Sequence, residues 1–402
     1  MEECSDEQIT PPHNTKTRKT RQFDRKWTLK RQKAIIQKNI KLLARNQGKP
    51  IEYEKCSRSL RKKRSRNYIF SDTLEMEEFC KAHFEEYHST SSFGCNVTQL
   101  STGLLETKTT CSPIQDVHLE IFKSNQTLLY EEEANTKSVS FCWLDTLPSN
   151  DAEAQTIISG HQMTRNSIAG FNRINKTGGN IWDIVGANEE LCCMSLKWNK
   201  LQERINKLNA FNAYARLEEC IGIDSHDHAS TQLKKIVNRH FNGHPSTKPN
   251  SFYDLAIIFL DNENNESSYD AHRCESTDLI EDMVKLIHED RAGMPPITLD
   301  EITEYLNSKT ESLNTICRKI FNMDVIELVR RVRLEQTRKA FLTPHSSIGL
   351  KEFTKKRIAL YYGFKNWKKF EASYSTYFGE SPSQTIDRSN KNLYSFSAWQ
   401  GE

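Results

Sequence analysis

The last quarter of this chain spells the same helical pattern twice, and no other feature constrains its fold as tightly. Thr298 and Glu301 stand three apart, the spacing of a reciprocal N-terminal cap, and predict a helix running to about Leu306. After a polar turn of Asn307, Ser308 and Lys309, the residues Leu313, Ile316, Cys317 and Ile320 recur at the spacing of one helix face. Glu311, Ser312, Thr315, Arg318 and Lys319 fall on the opposite, polar face. Near 351–361 a second lysine-rich helix leads into Gly363 and Phe364, and Asn366 is placed to cap the next helix. There Trp367, Phe370, Tyr374, Tyr377 and Phe378 make an apolar face, with Lys365, Lys368, Lys369, Ala372, Ser375 and Thr376 turned away from it. Gly379 suits a helix end and Pro382 prevents continuation. Between the two units, 325–342 lacks Gly and Pro and carries Arg330, Arg331, Arg333 and Arg338, as a rigid spacer helix would.

Charge is distributed to match. Residues 1–67 hold 20 Lys and Arg against 7 Asp and Glu, residues 68–296 hold 19 against 34, and residues 297–388 hold 16 against 11. Both ends are basic and the middle is acidic, a layout that suits a polyanion met by the ends. The 1–67 stretch reads as an arm, with one short amphipathic helix possible around Ile35, Ile36, Ile40 and Leu43 before Gly48 and Pro50. A solvated tail is the simpler reading of that arm, and a grip on nucleic acid the sharper one.

Composition excludes other classes. At 36% hydrophobic and 27% charged residues, ordinary buried cores are expected, and the longest apolar run, 255–260, is far too short for a bilayer span of about 20 residues. With acidic Glu2 and Glu3 in place of a basic-then-apolar leader, no membrane role and a cytoplasmic location are expected. The 11 cysteines, odd in number and without a C-x-x-C pair, read as reduced and largely buried thiols. No G-x-S-x-G, H-E-x-x-H or phosphate-binding glycine loop is present, so no enzyme activity, catalytic residue or cofactor is expected.

The middle alternates short apolar stretches with turn signals. Strands are expected over 97–100, 117–122, 127–130, 139–144, 169–174 and 181–185, after an opening helix through Phe79 and Ala82. Pro113, Pro148, Gly160 and the Gly178–Gly179 turn separate them, and a sandwich or small barrel over 68–205 is the expected result. Residues 206–296 read as a helical connector or dimerisation region. Its last helix carries Ile280, Met283, Val284 and Ile287 on one face, and a hinge succeeds it at Gly293 to Pro296. Phe141, Trp143, Phe171, Trp182 and Trp198 could line a ligand pocket or fill the core, and the core is the simpler reading. Cys220, Asp224, His226, Asp227, His228, His240 and His244 offer metal-ligand atom types, but at no recognisable spacing, so no metal site is expected.

The run Tyr362, Gly363, Phe364, Lys365, Asn366, Trp367, Lys368, Lys369, Phe370, with Tyr377, Phe378, Gly379, Glu380, Ser381 and Pro382 after it, resembles the signature of AraC/XylS-type regulators. Arg333, Leu334 and Arg338 resemble that family's connecting-helix segment, and Ile358–Ala359 sits where it packs the first helix of its second unit. The likeness covers about 297–388. It departs at Asn322 and Val325, where Gly and Pro are common, and at Glu311, Cys317 and Ala372, where Arg, Phe and Arg are. The resemblance implies an α+β chain, with a strand-rich, cupin-like sensor domain at 68–205, an all-α double helix-turn-helix domain at 297–388 and a tail at 389–402. It implies sequence-specific binding of double-stranded DNA, through Glu311, Ser312, Thr315, Arg318 and Lys319 on one recognition helix. Lys365, Asn366, Trp367, Lys368, Lys369 and Ala372 would serve on the other. It further implies RNA polymerase, a small-molecule effector and a second copy of the chain as partners, and association with the nucleoid. Against it stand structural readings: Trp367 as packing, Lys368 and Lys369 as solvated charge, and the spacer arginines paired with Glu327 and Glu335. A nucleic-acid binder without sequence preference, acting through the basic arm, is the alternative; a metal-dependent cupin-type enzyme ranks third.

Overall fold

Apolar–polar alternation along 95–197 produces two antiparallel sheets. The computed structural model describes residues 65–88, 95–133, 137–146, 155–171, 180–244, 248–263, 277–289, 297–343 and 355–395. The basic arm up to residue 64, the turn expected at Gly178–Gly179, the hinge expected at Gly293 to Pro296 and residues 396–402 lie outside them. The strands are β1 (Arg66–Phe70), β2 (Cys95–Gln99), β3 (Thr107–Ile114), β4 (Val117–Ser124), β5 (Leu128–Glu133), β6 (Ser138–Thr146), β7 (Ile157–Ile158), β8 (His161–Gln162), β9 (Ser167–Ala169), β10 (Asn180–Val185), β11 (Glu190–Lys197) and β12 (Gly222–Asp224). Seven pair in the order β1-β3-β4-β11-β6-β9-β12, and five as β2-β5-β10-β7-β8.

Side-chain period explains the layers. On β6, Val139, Phe141 and Trp143 point outward while Cys142 and Leu144 point to the opposite sheet; on β11, Cys192 and Met194 point outward and Leu191 inward. The inward set meets Val97, Leu128, Ile158 and Val185 of the five-stranded sheet, with Met76 of α1 (Thr73–His88). The outward face of the seven-stranded sheet is covered by α2 (Trp198–Leu208), α3 (Phe211–Glu219), α4 (His228–Phe241) and α5 (Pro249–Asp261), through Leu201, Ile205, Leu217, Leu233, Phe252 and Phe259. The helices of 206–261 are therefore part of this layer, and β12 between them is the sheet's edge strand.

The outward face of the five-stranded sheet presents Leu129, Ile157, Trp182 and Ile184. Onto it pack α6 (Thr277–Glu289), through Ile280, Met283, Val284 and Ile287, and then the C-terminal helices. Phe141, Trp143, Phe171 and Trp182 are all core residues, and Trp198 packs at the margin of the first core.

Two strand expectations change. Of the strand expected over 169–174, Ala169 ends the three-residue β9, Gly170 follows it with φ 92°, and 172–174 lie outside the described residues. Pro113 lies within β3 rather than between strands. β1 pairs only as far as Cys111, so no partner on that side needs the missing N–H. No described helix is long and apolar enough to cross a membrane.

Candidate nucleic-acid interface

The C-terminal helices repeat the twofold pattern read in the sequence. Thr298 and Glu301 form the reciprocal cap, the Glu301 amide donating to Thr298 Oγ1 (3.2 Å) and the Thr298 amide to Glu301 Oε2 (3.0 Å). The cap opens α7 (Leu299–Tyr305), a turn in which Asn307 has φ 47° comes next, and α8 (Thr310–Phe321) begins. Leu313, Cys317 and Phe321 are buried under α8, and burial pushes the Cys317 thiol up to about 12, an inert packing group. Glu311, Ser312, Thr315, Arg318 and Lys319 are all exposed. Thr315 Oγ1 donates to the Glu311 carbonyl (2.8 Å), which leaves its lone pairs facing solvent.

Asn322 ends α8 in the left-handed region at φ 55°, the conformation that Gly would otherwise supply. The Val325 amide then donates to Asn314 Oδ1 (3.1 Å), fixing the start of α9 (Val325–Leu342) against α8. The spacer thus spans the residues its composition indicated. The second unit consists of α10 (Lys355–Tyr361) and α11 (Trp367–Phe378), with Ile358 and Ala359 buried. Asn366 caps α11 by accepting the Lys369 amide (3.0 Å). Phe370, Tyr374, Tyr377 and Phe378 are buried, while Lys365, Asn366, Lys368, Lys369 and Ala372 are exposed. Trp367 is half-buried and packs 5.4 Å from Phe370, so its ring serves the core.

Burial and pairing separate the basic residues into two groups. Arg318, Lys365, Lys368 and Lys369 form no ion pair with any described residue. Arg330 and Arg331 instead bind Glu327 (2.9 and 3.1 Å), and Arg333 and Arg338 are buried. Arg338 donates to Glu380 (3.0 Å) and lies 4.5 Å over the Phe378 ring. Burial opposes its charge, but Glu335, Tyr374, Glu380 and Asp72 outweigh that and hold its pKa above the ordinary value. The spacer's arginines are structural, and for Arg330 and Arg331 the partner is the Glu327 that helical spacing indicates. Sequence reasoning passed over Lys309, which is exposed at the N-cap of α8 where no side chain caps the first-turn amides. Its place just before an uncapped helix start was the available signal, because such amides and a lysine together suit a phosphate.

The spacer is also gripped by the sheets. Thr73 donates to Glu335, and Lys339 donates to Glu77 and to the Val97 carbonyl (2.7 Å). Burial pushes the Glu77 carboxyl up against the pull of Lys339. The Tyr377 hydroxyl donates to the Gln99 carbonyl, and the Gly103 amide to that of Tyr377 (2.8 Å).

Between the sheets, under α1, lies a cavity of about 140 Å³. Phe122, Tyr130 and Val185 give it apolar wall, and Glu120, Glu132 and Asp183 give it carboxyls. Burial pushes the Glu120 carboxyl up to about 7.

The donor-rich stretch around residues 220–244 is occupied with its own bonds. Asp224 accepts from Ser167 and Thr164, Asp227 caps α4 by accepting the Ser230 amide (2.6 Å), His226 pairs with Asn166 (3.1 Å), and His240 with Ser112 (2.7 Å).

No protein-family profile and no curated sequence matches this chain. Among solved structures it is similar to the AraC-like transcriptional activator CuxR, with 11% identity and a TM-score of 0.32 over 67% of this chain and 94% of that one. It is also similar to ToxT from Vibrio cholerae, with 13% identity and a TM-score of 0.26 over 74% and 98%. For wild-type ToxT of Vibrio cholerae strain SCE256 with bound unsaturated fatty acid the values are 15% and 0.25, over 74% and 95%.

Proposed function

We propose that this chain is a sequence-specific DNA-binding transcription regulator of the AraC/XylS type. In this reading α7–α8 and α10–α11 are two helix-turn-helix units, and α8 and α11 enter neighbouring major grooves about 34 Å apart along the duplex. One observation carries the proposal. Two amphipathic helices, joined through a helix without Gly or Pro, each bury the apolar face and leave the polar one exposed, with Arg318 on α8 and Lys368 and Lys369 on α11 in no ion pair with a described residue. Arg318, Lys365, Lys368 and Lys369 meet phosphates, Ser312 and Thr315 reach base edges, and Lys309 with the first-turn amides of α8 clamps the backbone. Glu311 lies beside that clamp and disfavours phosphate there, so it orients α8 by repulsion or accepts from a cytosine amino group. The inter-sheet cavity serves a small-molecule effector; its volume approaches the roughly 150 Å³ that holds a benzene-sized guest.

A gel-shift series with the full chain against a pool of random duplexes, at two salt concentrations, tests this. One enriched site that scrambled competitor fails to displace is expected. In the Lys365→Ala, Lys368→Ala double variant, affinity should drop and the slope of log K against log salt should shrink by about 2. An unchanged double variant overturns the docking. Equal displacement by scrambled duplex, with binding abolished by deletion of residues 1–64, transfers the activity to the basic arm.

A further inference from the structure

Cys111 and Glu120 are direct cross-strand partners in the β3–β4 hairpin, and His118 stands two residues before Glu120 on the same strand. Strand period therefore puts all three side chains on one face, the face toward the opposite sheet, because Val117 and Leu119 between them belong to the outward core. The donor atoms of Cys111, His118 and Glu120 all lie within 4.8 Å of one another. Among the described residues they form the only such group of three. Glu120 is also a wall of the inter-sheet cavity, and no hydrogen bond to a described residue occupies its carboxyl.

We propose that Cys111, His118 and Glu120 bind a single divalent transition-metal ion, zinc by preference, with the fourth coordination position open to the inter-sheet cavity. A thiolate, an imidazole and a carboxylate are zinc's ordinary ligand types, at about 2.3, 2.0 and 2.1 Å, so two ligands of one tetrahedral ion stand roughly 3.3–3.8 Å apart. Rotation of three side chains by about an ångström on a hairpin backbone already held by β1 and β11 closes the set. Calcium and magnesium, which want six or more oxygens, do not suit it. Three protein ligands with an open fourth position is the arrangement that admits water or a small ligand, here from the cavity side. The site is independent of whether the chain binds DNA.

Cobalt(II) reports on such a site by absorbance. The reduced full chain, desalted and titrated with Co²⁺, should take up one equivalent, with the near-ultraviolet absorption of a cobalt–thiolate bond and the strong visible bands of tetrahedral geometry. Zinc should displace the cobalt, as the usual affinity order requires. Cys111→Ser should remove the thiolate absorption, and His118→Ala and Glu120→Gln should each weaken binding by at least about tenfold. Cys142→Ser removes one of the thiols that line the cavity and should leave the spectrum unchanged. Circular dichroism checks that each variant is folded, and Glu120→Gln, the least invasive change, decides alone if Cys111→Ser is not. A titration without the thiolate absorption overturns the proposal. So does a spectrum that survives Cys111→Ser or disappears in Cys142→Ser, or an affinity that Glu120→Gln leaves unmoved.

Discussion

Arg338 has no exposure at all, and its surroundings show how a buried charge is tolerated. Its guanidinium donates to Glu380 and to the Ser71 carbonyl (3.4 Å) and lies over Phe378, while Arg388 adds a second cation to the same Glu380 oxygen at 3.1 Å. Desolvating two charges costs more than their attraction returns unless the geometry is good, but removing one partner is worse, because the other remains buried alone. Glu380→Ala should therefore lose about 3 kcal/mol or more of stability in urea unfolding. Arg338→Met, which keeps volume and leaves Glu380 with Arg388, should lose clearly less; the reverse order would mean the pair does not fix the spacer. In the sequence Arg338 was visible as part of a recognisable segment, but its burial was not. Its carboxylate partner lies 42 residues downstream and its carbonyl partner 267 upstream, separations that no local spacing encodes.

The helix ends depend on two residues in the left-handed region. Asn322 at φ 55° closes α8 and Gly379 at φ 69° closes α11. A Cβ on Gly379 would sit 3.1 Å from the Leu104 amide nitrogen, so this cap also sets how closely α11 approaches the sheets. Gly379→Ala should cost about 1–2 kcal/mol from the backbone conformation alone and more from displacing residues 103–104. A thermal-melt comparison with Asn322→Gly, which should be neutral to mildly stabilising, separates strain from simple loss of a side chain. If both substitutions shifted the melt equally, the Leu104 approach would not matter. At this scale the sequence was most legible where periodicity and caps agreed, as at Thr298, Asn366 and the ends of α9. It was least legible at β3, a threonine-rich stretch that carries Pro113 and has no apolar alternation. Thr107 and Thr109 are buried there by pairing on both sides, a property of neighbours that lie 37 or more residues upstream in β1 and 13 or more downstream in β4. The metal triad was missed for the same reason: Cys111 meets His118 and Glu120 only through hairpin register.

The C-terminal helices share a core with the five-stranded sheet, so the chain's halves cannot unfold independently. Trp182 of β10 lies against Phe321 of α8 at 6.1 Å, and both belong to the cluster that includes Leu313, Cys317, Val325 and Leu328. Composition marks the boundary between strand-rich and helical segments but is silent on whether the outer sheet face meets water or helices, because apolar residues on both faces also suit a buried strand. β10 reaches both environments through alternate residues. Trp182 and Ile184 face the helices, while Asp183 and Val185 line the cavity. Trp182→Ala should cost about 3–5 kcal/mol, the range for a large aromatic removed from a core. Calorimetry of the full chain should show the helical and sheet parts lost in one transition at a lower temperature, and a second transition left at its original position would disprove the shared core. Because the same strand touches both the cavity and α8, the proposed zinc and duplex sites should be coupled through it, and linkage is reciprocal. Whatever factor zinc imposes on duplex affinity, the duplex must impose on zinc affinity, with couplings of this kind typically about 5–150-fold. Measuring zinc affinity with and without saturating duplex, and duplex affinity with and without zinc, closes the cycle. Equal factors that collapse toward one in Trp182→Phe, which keeps the core apolar but shortens the contact with Phe321, would place the coupling in β10. Equal factors unchanged by that substitution would place it elsewhere, along α1 and its bonds to Glu335 and Lys339.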